Sequence, residues 1–147
     1  MQIFHDKIKN LKAGWNERSL SEDDFYALCE RCKIRVQRLP LKVSGFYTCD
    51  RKKHYIAIDS RLPTAQATFT MFHEFGHFLM HTPSTAAVSN YCGSKIYRRD
   101  ETEADAFAYC AMLPLPMLRT REPEELADIF GTTFLMERLS VYERYGI

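Results

Sequence analysis

The spacing of apolar side chains changes period several times along this chain, and each change predicts an element. Phe4, Ile8 and Leu11 recur at helical spacing and stop at Gly14, which predicts a first helix over residues 2–13. Phe25, Leu28, Cys29 and Cys32 form the i, i+3, i+4, i+7 stripe of a second helix, and Ser21 followed by Asp24 gives a capping pattern ahead of it. After Lys33 the period shortens. Ile34 and Val36 alternate with Arg35 and Gln37, "VSGFYTC" (43–49) is rich in strand formers, and "HYIAID" (54–59) sets Ile56 and Ile58 on one side. The polar "DRKK" predicts a hairpin near residues 50–53, so a small, mostly antiparallel sheet is expected.

Helical texture returns at Pro63, a residue suited to a helix start, and runs to about Thr82, where Pro83 ends it. Residues 83–99 are polar and include Tyr91 and Tyr97; they read as a long loop, a kind of segment that tends to be functional or mobile. "DETEADAFAYCAML" (100–113) predicts another helix, stopped by Pro114 and Pro116. "EPEELADIF" and "TTFLMERLSVYERY" then predict a C-terminal helix pair within residues 123–145, divided at Gly131-Thr132. No repeat, low-complexity tract or linker interrupts the pattern. The expectation is one domain over residues 1–147, an α+β fold with helices before and after the sheet.

Composition narrows the function. A chain of 147 residues with 46% apolar and 27% charged side chains can bury a real core. Its formal charge is +1, from 20 basic and 19 acidic groups, so no strong field draws it to nucleic acid or an anionic membrane. The start, "MQIFHDKIKNLKAGW", carries charges every few residues, unlike a signal peptide or anchor. No run approaches the roughly 18 apolar residues of a membrane span, and the reading is cytoplasmic. Five scattered cysteines (Cys29, Cys32, Cys49, Cys92, Cys110) fit a reducing compartment better than a disulfide framework. Cys29-Glu-Arg-Cys32 has no second pair to complete a zinc knuckle, and packing explains it.

The chemistry lies in "TMFHEFGHFLMHT" (70–82). Histidines four apart on a helix lie one above the other, so His73 and His77 can aim their rings at one point about 2.0–2.1 Å away, where zinc would sit. Glu74 flanks that point and can reach a water there without ligating, which is the logic of H-E-x-x-H. The bland alternative is a buried helix with two satisfied histidines. Gly76 in mid-helix costs roughly 1 kcal/mol against alanine, and close approach of the sheet or of substrate backbone would account for it.

A catalytic zinc needs a third protein ligand and an open position. His81 continues the row but lies about 6 Å further along the axis, so helix capping or a substrate-side role suits it better. The acidic helix is the better source. Glu101 and Asp105 lie one turn apart; Glu101 would ligate, and Asp105 would accept the outer N–H of a ligating histidine. Glu103 points away from Glu101 and reads as a solvated charge, with ligation as its alternative. Tyr91, Tyr97 and His81 are candidates for a donor to the oxyanion. Arg98 and Arg99 could steer an acidic segment, or simply mark an exposed helix start.

Taken together, His73-Glu74-Phe75-Gly76-His77, Glu101 to Ala104, Asp105, Phe107-Ala108 and Met112-Leu113-Pro114 resemble the ImmA/IrrE family of zinc metallopeptidases. "LPLKVSGFY…HYIAID" resembles the family's sheet, and "ELADIFGTTFLMERL" its C-terminal helix pair, so the resemblance spans nearly the whole chain. It implies a zincin-like fold, one Zn2+ per chain held by His73, His77 and Glu101, and Glu74 as the catalytic acid and base. It further implies a gluzincin-like endopeptidase whose protein substrate is a helix-turn-helix repressor of a phage, mobile element or stress response. The "AMLP" ending departs from the family's usual leucine before Met-Pro, which alters packing only. Two other readings stand beside it: a zinc-binding regulator that grasps its partner without cleaving it, and a DNA-binding module over residues 123–145. The second of these is weakened by a last helix with two arginines against two glutamates, and direct nucleic-acid binding is not expected.

Overall fold

The long apolar stretch that carries both histidines becomes the central element of the molecule. In the computed structural model, which describes residues 2–81 and 98–147, it forms helix α3 (Thr64–His81), buried from Ala67 through His77 with few gaps. Two threonines inside it, Thr68 and Thr70, donate their hydroxyls to the carbonyls of Thr64 and Gln66, so neither is left unsatisfied. Before α3 come α1 (Gln2–Lys9), α2 (Glu22–Arg31), β1 (Ile34–Leu39), β2 (Gly45–Asp50) and β3 (Lys53–Asp59). After it come α4 (Arg98–Met112), α5 (Leu115–Thr120), α6 (Pro123–Phe130) and α7 (Thr132–Tyr145). Tyr91, Tyr97, Cys92 and most of the expected loop lie outside the described residues.

The fold is α+β, and its sheet is mixed. β2 and β3 form the expected antiparallel hairpin, with Asp50 opposite Lys53. Arg51 and Lys52 between them both have positive φ, the twist that suits a two-residue turn. β1 pairs parallel to β3 rather than with its neighbour in sequence, giving the order β1-β3-β2. The crossing is fixed by Asp59, whose Oδ1 accepts from the backbone N–H of Leu41 and of Arg61, while its own N–H donates to the Ser44 carbonyl. Ile56 and Ile58 of the central strand are buried against α3.

Two close approaches bring these layers together. A Cβ on Gly45 would lie 2.7 Å from both the Ala57 carbonyl and Thr70 Cγ2, so glycine lets the sheet seat on α3. Gly76 serves a different contact from the one expected. A Cβ there would meet Phe107 Cβ at 3.2 Å and Ala104 Cα at 3.4 Å, both on α4, not the sheet. The α4 face is correspondingly small, with Ala104, Ala108 and Ala111 fully buried.

The segment after α1 ties itself to α4. Trp15 Nε1–H donates to the Phe107 carbonyl at 3.0 Å, and the two rings stack with centroids 5.4 Å apart. α2 starts with a complete capping box between Ser21 and Asp24. Cys29 is buried on its inner face, where desolvation pushes the thiol up to about 12, the opposite of a reactive thiolate. Pro114 and Pro116 do end α4, but Pro116 also opens the short α5, since a proline in the first turn forfeits no hydrogen bond. α6 and α7 close on a second, smaller core of Leu113, Leu126 and Leu135.

Candidate metal centre

Helices α3 and α4 pass each other in opposite senses, and acids on α4 meet each histidine of the row on α3. His73 faces Glu101 and Asp105, His77 faces Glu101, and His81 faces Glu103. The close packing at Gly76 makes these contacts direct. His73 Nε2 and His77 Nε2 lie 3.2 Å apart. Glu101 Oε2 is 3.2 Å from the first and Oε1 is 2.8 Å from the second.

Three donors at such spacing suit a small cation. Zinc bonded to nitrogen and oxygen at 2.0–2.1 Å in tetrahedral geometry would hold neighbouring donors roughly 3.3 Å apart. One carboxylate and two imidazoles is also a donor set that zinc accepts while leaving a position open. His73, His77 and Glu101 therefore fit the ion.

The electrostatics agree with a site built to hold positive charge. Burial alone would lower the His73 imidazole, but hydrogen bonds to Asp105 and Glu101 outweigh it and push it up to about 10. Hydrogen bonds to His73 and His77 hold the Glu101 carboxyl well below the ordinary carboxylate range. Asp105 Oδ1 sits 2.8 Å from His73 Nδ1, which leaves Nε2 of that ring as the metal-facing nitrogen.

Glu74 follows His73 on the same helix and is held by a different partner. It is 8% exposed, and burial raises its carboxyl, an effect partly offset by His73 and His77. Its carboxylate accepts a hydrogen bond from the backbone N–H of Tyr47 on β2. Sequence reasoning missed Tyr47, because a backbone donor leaves no trace in residue identity.

Other expected site residues fall differently. His81 ends α3 but does not cap it: Nδ1 is 2.9 Å from His77 Nδ1, and Nε2 is 3.1 Å from Glu103 Oε2. Glu103 is away from the paired imidazoles, and it is not a free solvated charge, since its other oxygen accepts from Arg99 Nε at 2.9 Å. Burial would raise the Glu103 carboxyl, but the bonds from His81 and Arg99 hold it below its usual value. Arg99 is thereby engaged, and the side chain of Arg98 lies outside the described residues. Arg138, one of the two arginines in α7, is wholly buried and donates to the carbonyls of Leu113 and Ile147, so no phosphate can reach it.

Comparison with known proteins shows the family. The family model of the IrrE N-terminal-like domain, peptidase family M78, matches residues 29–144. "Uncharacterized immunity region protein 2" of Bacillus phage phi105 is 33% identical over 91 residues, covering 60% of this chain. The match spans 58% of that relative's length, under two thirds of it. No helix among the described residues is long and apolar enough to cross a membrane. From the cysteine-bearing helix to the last turn of α7, then, the chain belongs to the IrrE N-terminal-like family of metallopeptidases.

Proposed function

We propose that this protein is a zinc-dependent endopeptidase whose substrate is a protein, namely a helix-turn-helix transcriptional repressor of a phage, mobile element or stress response. The observation that carries the reading is the meeting of His73, His77 and Glu101 around one point, with an unligated, buried Glu74 alongside. Glu74 supports catalysis over simple binding, because holding the ion does not require it. Family membership supports the peptidase class, and the immunity-region name of the phage relative supports repressor control as the setting.

Bound zinc would supply Lewis acidity, enough to bring a water's pKa from 15.7 toward about 7 and to polarise the scissile carbonyl. The chain's own groups do the rest. Glu74 takes the proton of the attacking water on its carboxylate and returns it to the leaving amine. Its raised proton affinity, a product of burial, favours that acceptance. The Tyr47 N–H holds the carboxylate in place while it works. Asp105 fixes the tautomer and tilt of His73.

Zinc-loaded protein mixed with purified helix-turn-helix repressors from the same genome should cut one of them into two fragments, read by mass spectrometry. Glu74→Gln keeps the shape and the acceptor for Tyr47, yet should slow cleavage at least about 10³-fold while zinc binding persists. Undiminished cleavage by that variant would overturn the mechanism.

A further inference from the structure

We infer that His81 and Glu103 form a positioning relay for His77, so that the second imidazole is held by a carboxylate at one remove, as the first is held by Asp105 directly. The inference rests on the zinc reading and adds to it two residues, neither of which touches the ion. It follows from counting protons on ring nitrogens. A neutral imidazole carries one proton, and a ring that gives Nε2 to a metal must carry that proton on Nδ1. His77 Nδ1 lies 2.9 Å from His81 Nδ1, so His77 donates and His81 Nδ1 accepts, bare. The His81 proton must then sit on Nε2, where Glu103 Oε2 receives it at 3.1 Å. Arg99 engages the other oxygen of Glu103 and fixes which oxygen faces the ring. Each link permits a single direction of donation.

The pattern has a second consequence. His81, Asp100 and Glu103 also bring three donor atoms within 4.8 Å of one another, which looks like a second cation site. With His77 on zinc, however, His81 Nε2 carries a proton and has no lone pair to offer. Asp100, 3.6 Å from that nitrogen, is too far for a hydrogen bond. The trio supports the first site instead of forming another, and one zinc per chain is the stoichiometry that follows.

Zinc affinity measured by competition with a chromogenic chelator tests this without any substrate. His81→Phe keeps a flat aromatic ring but removes the acceptor, and should weaken affinity about 10- to 100-fold. His81→Asn restores an oxygen near the place of Nδ1 and should recover most of that loss. Glu103→Gln, on a more exposed stretch of α4, should cost up to about tenfold. In zinc-loaded wild-type protein, imidazole 15N shifts should show His81 protonated on Nε2 only. A His81 proton on Nδ1, a second tightly bound zinc, or wild-type affinity in folded His81→Phe would each overturn the relay alone. Failure of wild-type protein to bind zinc, or indifference of affinity to Glu101→Ala, would sink the metal reading and the relay with it.

Discussion

The α3–α4 pair and the α6–α7 pair are both helices packed on each other, yet they obey different rules. α6 and α7 follow local preference. α6 opens with proline and two glutamates in its first turn, where the helix dipole favours negative charge, and Gly131 with φ +94 makes the corner. A Cβ on Gly131 would meet nothing within 4 Å, so conformation alone requires glycine there. α3 breaks such preferences. It carries a glycine in mid-helix, a buried glutamate and buried threonines, and its first turn holds no acid. Violations of this kind concentrate where function dictates the residue. In the C-terminal pair most side chains answer to a small core, with Arg138 reaching back to Leu113 and Asn16; in the central pair the histidine row answers to the helix opposite.

That contrast can be broken by substitution. Arg138→Ala should have the largest effect, about 4 kcal/mol of lost stability, because it empties a wholly buried volume and strands the carbonyls of Leu113 and Ile147. Leu126→Ala should follow at about 3 kcal/mol. Both should leave zinc affinity per folded molecule unchanged, as judged by denaturant titration beside chelator competition. A tenfold fall in affinity from either would show that the C-terminal pair shapes the centre.

Gly76→Ala should do the reverse. Alanine gains roughly 1 kcal/mol of helix propensity, but its methyl would press on Phe107 Cβ and Ala104 Cα, which yield only if α4 shifts by a few tenths of an ångström. Melting should move little, while zinc affinity falls about tenfold as Glu101 and Asp105 draw back from His73. Equal affinity would mean that the centre tolerates such a shift.

The smallest expected effect lies far from both pairs. Asp24→Ala removes half of the α2 capping box and should cost about 1 kcal/mol at neutral pH. Hydrogen bonds from Arg18 and then Ser21 hold the Asp24 carboxyl below its ordinary 3.8. Its contribution is therefore present above that value and fades as pH falls below it, so wild-type and variant stabilities should converge in acid. A gap that fails to narrow between about pH 5 and pH 2 would assign the loss to packing.

The contrast also explains what the sequence disclosed. Helical stripes, the Ser21–Asp24 cap and the turn at Gly131 are local, and local patterns were legible. That His73 and His77 would meet Glu101 and Asp105 was legible, because the ligation proposed for them would impose spacing on each helix separately. The parallel β1–β3 pairing was not, since strands adjacent in sequence usually pair and β1 is diverted by long-range contacts of Asp59 and Ser60. Nor was the partner of His81, which depends on how α3 and α4 register. The cost of Gly76 is plain from its place in a helix, but the element it makes room for is identified only in three dimensions.

Trp15 is the chain's single tryptophan, and its indole is pinned to the middle of α4 by Phe107. Its emission is thus a built-in gauge of that helix. Fluorescence will follow the seating of the acidic helix without a label, and it will stay blind to fraying at the far end of the molecule.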